Sequence, residues 1–175
     1  RPGRVTWGMA RSHTQGMNPA RSIAVKAGLP HRVPAFTVNM ACGSGMEAIL
    51  LAAQALSLGE AAPMLAGGSE AMSDTPFLAP GLRWGFRSGH RSLPDVMHQD
   101  GLRCPITGLL MGETIERLAA KRGVTRTEAD AFALESHRRA AAADFRAQLA
   151  TMPQLDHHEC VRCDVTPEAL AALSP

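Results

Sequence analysis

With 175 residues, 45% hydrophobic and 19% charged, the chain is long enough to bury a core and does not have a disordered composition. A net charge of +2 excludes partners captured by bulk charge, so neither nucleic acid nor a membrane surface is expected. Gln54 interrupts the best apolar run well short of the roughly 20 residues of a membrane span, and four cysteines without a regular framework fit a reducing, cytoplasmic setting.

Arg1-Pro2-Gly3-Arg4 has neither a starting Met nor the apolar stretch of a secretory signal, so a processed or partial chain is expected. Arg4 to Trp7 reads as a weak strand. His13 to Arg21 is a loop that enters a helix over Pro19 to Ala27, with proline in its first turn, and Gly28-Leu29-Pro30 closes it. Phe36 to Asn39 is short and β-prone. Cys42-Gly43-Ser44-Gly45 makes a sharp turn that glycine permits. The following helix, Ser44 to Leu58, stops at Gly59 and is apolar almost all round, which predicts burial on most sides. Pro63 to Ala66 is a second buried strand. Strand, helix and strand in about 30 residues make a βαβ unit, so the fold class is α/β with parallel pairing.

Composition changes at Asp74. From there to Leu110 the chain is rich in Gly, Pro and Arg and has no sustained period, so it is expected to be irregular. Met111 to Arg122 is helical and ends at Gly123. Thr125 and Glu128 form a capping box for a long Ala-rich helix that is expected to reach Leu149. Met152 to Asp164 is irregular, and Thr166-Pro167 starts a last short helix. Two regions follow from this reading, 1–73 and 74–175.

Cys42 is the first candidate for chemistry. A buried cysteine is most often inert packing. Here the strand, the Gly-flanked turn and the helix N-terminus present the sulfur at a defined point, where the dipole favours a thiolate and backbone N–H groups can hold an oxyanion. Gly67-Gly68-Ser69-Glu70-Ala71 resembles a hydrolase elbow without its last glycine, and spacing supplies no Asp or His for Ser69. His157-His158-Glu159-Cys160-Val161-Arg162-Cys163 could be half a zinc site, but a closed site needs two separated ligand pairs, so no metal is expected. Arg83-Trp84-Gly85-Phe86-Arg87 mixes cations with aromatics as single-strand binders do, but a loop over a ligand site or a subunit contact accounts for it better.

Several motifs together resemble one family. Val38-Asn39-Met40-Ala41-Cys42-Gly43-Ser44-Gly45-Met46-Glu47-Ala48-Ile49 is similar to the nucleophile segment of thiolases, the acetyl-CoA acyltransferases. Gly16-Met17-Asn18-Pro19-Ala20-Arg21 resembles the family's Gly-Gln-Asn-Pro-Ala-Arg, with Met17 in place of Gln. Ala66-Gly67-Gly68-Ser69-Glu70-Ala71-Met72-Ser73, Met111-Gly112-Glu113-Thr114 and Asp130 to His137 resemble further family segments in family order. The resemblance implies a thiolase-like βαβ core carrying the nucleophile in 1–73, and a mainly helical, CoA-binding loop domain in 74–175. It implies a Cys42 acyl-enzyme formed from acyl-CoA or 3-ketoacyl-CoA, followed by Claisen condensation or thiolysis, as in fatty-acid metabolism. CoA would be a substrate or product, with no tightly bound cofactor. Leu102, Met111, Arg162 and Ala169 fall where the family contacts CoA, and Arg162 could pair with phosphate or stack on adenine. A homo-oligomer, dimer or tetramer, is implied for the full-length protein.

The departures from the pattern are equally definite. The family's Gly-His-Pro and its second cysteine ahead of a run of glycines, both in a C-terminal domain, are not found here: Gly89-His90 is followed by Arg91, and no cysteine precedes a run of glycines. Leu110 stands where a His often precedes Met-Gly. The family's first strand and helix are missing ahead of Arg1, and the stretch from His137 to Arg162 is shortened. The expectation is a chain incomplete relative to a full thiolase, with Cys42 but not its activating base, and with little or no turnover alone. The alternative is a truncated, non-catalytic subunit that binds CoA or another chain.

Overall fold

The structure, a computed structural model, describes residues 2–13, 15–60, 63–150, 152 and 159–174. It divides into two compact units, Arg1–Met111 and Gly112–Pro175.

The first unit is built on a three-stranded parallel sheet. β1 (Arg4–Gly8) leads through α1 (Pro19–Lys26) to β2 (Ala35–Val38), and β2 leads through α2 (Ser44–Ser57) to β3 (Met64–Gly68). The strand order is β2-β1-β3, with Val5 opposite Ala35 on one side and Leu65 on the other. The first crossover runs from the central strand to one edge and the second runs back across it to the other edge, so right-handed connections put α1 and α2 on opposite faces. Side chains along β1 alternate accordingly. Val5 packs with Ala24 and Val33, with Trp7, Leu29 and Ala35 around them, on the α1 face. Gly8 meets the start of α2 on the other face.

The Asn-Pro-Ala-Arg segment holds α1 to the sheet. Asn18 Oδ1 accepts from the Arg21 N–H, which caps the helix, and Pro19 occupies the first turn. Asn18 Nδ2 donates to the Ala35 carbonyl at 3.0 Å, and Thr37 Oγ1 donates to Asn18 Oδ1 at 2.8 Å. The Arg21 guanidinium donates to the carbonyls of Val33 and His31. The motif is therefore a structural clasp between α1 and β2.

α2 corrects one expectation. Its buried residues are Ser44, Ala48, Ala52 and Ala55, a single stripe against β1 and β3. Met46 and Ile49 are 61% and 57% exposed, and Leu50 and Leu56 are also exposed. A sheet three short strands wide, about 10 Å across, covers only one side of a 14-residue helix. β3 runs two residues beyond expectation, through Gly67 and Gly68, because glycine there lets Trp7 and Gly8 of β1 lie alongside.

Residues 74–110 are irregular, as expected, with short 3₁₀ turns, a π-helical turn at His98–Leu102 and bridges Phe77–Asp95 and Arg103–Leu110. α3 (Met111–Arg122) follows.

In the second unit, α4 (Arg126–Ala142) starts with the expected capping box, Thr125 with Glu128. It ends at Ala142 and not at Leu149, because Asp144 accepts the Arg146 N–H and pairs with its guanidinium, a local turn that competes with helix. α5 (Pro167–Ala171) begins at the Thr166 N-cap, and its Leu170 is buried. The Arg126 guanidinium donates to the carbonyls of Leu170 and Leu173 at the end of α5.

Candidate active site

All three strands are parallel, so their C-terminal ends lie at one edge of the sheet, where doubly wound folds bind ligands. Cys42 lies between the end of β2 and the start of α2. Close backbone contact explains how α2 approaches so near the sheet. A Cβ on Gly8 would overlap the Ser44 carbonyl and lie 2.6 Å from the Gly45 N, and one on Gly68 would lie 2.9 Å from the Gly8 O. Only glycine at these positions lets the helix start sit directly on the strand ends.

The loop ahead of α2 is fixed by short polar contacts. Asn39 Oδ1 accepts from the Ala41 N–H at 3.0 Å, and its Nδ2 donates to the Ala10 carbonyl at 3.0 Å. Ser44 Oγ accepts from the Met40 N–H at 2.9 Å and donates to the Ala41 carbonyl at 2.6 Å. These bonds hold Ala41 in the left-handed region at φ 47, the one described non-glycine residue there. Such a conformation costs of order 1–3 kcal/mol and persists only where the surroundings impose it. It turns the chain sharply, and the Cys42 side chain is exposed.

Cys42 lines a cavity of about 540 Å³ with Ala10, Arg11, Asn39, Gly45, Ser69, Glu70 and Asp100 among its other walls. The N–H groups of Cys42, Gly45 and Met46 make no hydrogen bond among the described residues, as expected at a helix start. They are donors for charge that develops near the sulfur. Glu70 fixes the opposite wall, its Oε2 and Oε1 accepting from the N–H groups of Ala10 (2.9 Å) and Arg11 (3.1 Å). Among the described residues no histidine lines the cavity.

The other sequence candidates are placed as follows. Leu102 ends the π-helical turn and Met111 starts α3, both exposed. In the second unit the exposed Arg162 donates its N–H to His137 Nδ1 at 3.2 Å, and Ala169 donates its N–H to the Thr166 cap in α5. Ser69 Oγ accepts from Trp7 Nε1 at 2.9 Å, so an indole donor occupies the place where a hydrolase serine needs a base. His157 and His158 of the candidate zinc cluster lie outside the described residues, and among the described residues no group of three metal-ligating side chains forms. Among them, too, no helix is long and apolar enough to cross a membrane.

Asn39, Glu70 and Arg11 are site residues that the motif reading did not single out. A polar residue at each of two strand ends was the available signal for the first two. Arg11 follows β1 in a loop with no periodicity and gave none.

The sequence profile described as "Thiolase, N-terminal domain" matches residues 3–175. The chain is 43% identical over 184 residues to an acetyl-CoA acetyltransferase of Chromobacterium violaceum and 45% identical over 184 residues to one of Pseudomonas aeruginosa, covering 98% of this chain in each case. Among solved structures, an Ascaris suum thiolase in complex with coenzyme A superposes with a TM-score of 0.89 at 31% identity, over 99% of this chain and 46% of that one. The chain spans about half the length of the relatives it matches, 47% of each acetyltransferase. A match along essentially the whole chain, together with a fold shared with a solved thiolase, leads to one conclusion: this chain belongs to the thiolase family.

Proposed function

We propose that the chain carries the acyl-accepting half of a thiolase-type acyltransferase, with Cys42 as nucleophile. The observation that carries this reading is the position of Cys42, exposed in a cavity at the C-terminal edge of the sheet beside unbonded N–H groups of a helix start. The Cys42 thiolate attacks the thioester carbonyl of an acyl-CoA, or the 3-keto carbonyl of a 3-ketoacyl-CoA. The helix-start N–H groups stabilise the oxyanion; in the first case the C–S bond breaks and CoA leaves, and in the second the C2–C3 bond breaks and acetyl-CoA leaves as an enolate that takes up a proton. A second half-reaction passes the acyl group on by Claisen condensation or thiolysis.

CoA is substrate and product in this scheme, and the names of the relatives and the bound ligand of the Ascaris suum structure support that chemistry. Residues 74–175 form the CoA-binding loop domain, with Leu102, Met111, Arg162 and Ala169 as contacts and Arg162 directed at a phosphate or the adenine. The full-length protein is a cytoplasmic homo-oligomer.

Neither a Gly-His-Pro segment nor a cysteine ahead of a glycine run occurs in the 175 residues. This chain alone therefore accepts an acyl group at Cys42 but turns over little. The test is prolonged incubation with acetyl-CoA followed by peptide mass spectrometry. An acetyl adduct on the Cys42 peptide that vanishes in Cys42→Ser is expected. No adduct would favour the non-catalytic, CoA-binding reading, and sustained CoA-dependent cleavage of acetoacetyl-CoA would refute the claim of low turnover.

A further inference from the structure

Arg11 is the one cation among the described residues that line the Cys42 cavity. Its Nε is buried without a hydrogen-bond partner. No carboxylate among the described residues pairs with its guanidinium, although two acids share the wall. Glu70 gives both oxygens to the N–H groups of Ala10 and Arg11, and Asp100 lines the cavity without forming an ion pair to Arg11.

The guanidinium also packs closely on Gly101. A Cβ on Gly101 would clash with Arg11 Nη2 and stand 2.7 Å from Cζ and 2.9 Å from Nε. The guanidinium thus lies against bare backbone, a site that only glycine at 101 leaves open. A buried N–H without an acceptor is costly, and a planar fork of N–H donors matches a carboxylate in shape as well as charge. Arg11 Nε is short of one acceptor, in a wall that also carries Glu70 and Asp100.

In a CoA thioester the phosphates lie at the far end of the pantetheine arm from the reacting carbonyl. An anion that shares a cavity of about 540 Å³ with Cys42 therefore belongs to the acyl group and not to CoA. We propose that Arg11 is a specificity-determining residue that reads a carboxylate on the acyl chain, so that the preferred substrate class is the CoA thioester of a dicarboxylic acid. This rests on the acyl-transfer reading of Cys42. In the step concerned, the Cys42 sulfur forms a bond to the thioester carbonyl carbon, the bond from that carbon to the CoA sulfur breaks, and CoA leaves as a thiolate that takes a proton from water.

Two measurements on the 175-residue chain separate the inference from the reading beneath it. The first compares alkylation of Cys42 by iodoacetate and by iodoacetamide, which are alike in size and differ in charge, with Cys104, Cys160 and Cys163 as references in the same digest. The iodoacetate-to-iodoacetamide rate ratio at Cys42 is expected to fall about tenfold in Arg11→Leu, to fall also in Gly101→Ala, and to be largely kept in Arg11→Lys. The second compares acylation of Cys42 by glutaryl-CoA and pentanoyl-CoA, which have equal chain length. The glutaryl preference is expected in the wild type and lost in Arg11→Leu. A ratio unmoved by Arg11→Leu in both measurements overturns the proposal and leaves acyl transfer at Cys42 intact. Charge selectivity toward the alkylating agents, with no acylation by either thioester, overturns the acyl-transfer reading and supports the anion subsite.

Discussion

Gly8 and Gly45 lie on opposite sides of one contact, and alanine at each should act with opposite sign. A Cβ on Gly8 lands on the Ser44 carbonyl and 2.6 Å from the Gly45 N, where ordinary contact begins at 3.4 Å, so the start of α2 must retreat by nearly an ångström. The neighbours in the way are backbone atoms of a helix held by Asn39 and Ser44, so no side chain can swing aside. Overpacking of this kind costs about 1–3 kcal/mol. A Cβ on Gly45 meets nothing within 4 Å, and Gly45 is helical, so alanine there gains about 0.5–1 kcal/mol from the unfolded state. With a urea slope of about 1–3 kcal/mol per molar, Gly8→Ala should lower the unfolding midpoint by about 1 M, and Gly45→Ala should raise it by a few tenths. Circular dichroism in urea reads both. Equal midpoints for wild type and Gly8→Ala would refute the claim that backbone contact between β1 and α2 sets the position of Cys42.

Three further outcomes are expected. Asn18→Ala removes the cap of α1 and its ties to Ala35 and Thr37, and should cost about 1–2 kcal/mol in chemical denaturation, with Asn18→Asp recovering part through the cap alone. Glu128 is held below the usual carboxylate range by hydrogen bonds from the Thr125 N–H and then its hydroxyl. A lowered folded-state value gives stability that is present above the ordinary Glu range and lost as pH falls through the folded value. Helicity of the second unit should therefore drop on acidification, and Glu128→Gln should blunt that pH response. The Cys104 thiol is held below its usual range by hydrogen bonds from the Thr107 hydroxyl, then the Thr107 and Ile106 N–H groups. Thr107→Val should move the pH profile of Cys104 alkylation upward, while that of Cys163 stays in place.

Much of this was legible in the sequence because it rests on local rules. A Gly-flanked turn between a β-prone run and a long apolar run reads as a strand entering a helix, which puts Cys42 at the helix start, while its role as nucleophile is implied by the family resemblance. Thr125 with Glu128, and Thr166 with Pro167, announce helix starts through groups that act within three residues. What was not legible depends on distance in the chain. The exposed side of α2 reflects the width of the sheet beneath it, which apolarity of the helix does not encode. The early stop of α4 turns on Asp144 capturing Arg146, a competition hidden inside an Ala-rich run. Glu70 reaches back to Ala10 and Arg11 across about sixty residues, so its role appears only when β1 and β3 are seen side by side.

The left-handed Ala41 makes its neighbourhood an unequal target for change. Glycine, asparagine and aspartate are the residues that occupy this backbone region at low cost, and a β-branched residue there would force the turn open. A selection for heat resistance would therefore be drawn to glycine at 41, because it releases strain stored one residue from the sulfur. The same release would loosen the turn that sets Cys42 beside the helix start. Under the acyl-transfer proposal, durability and reactivity are set against each other at a single methyl group.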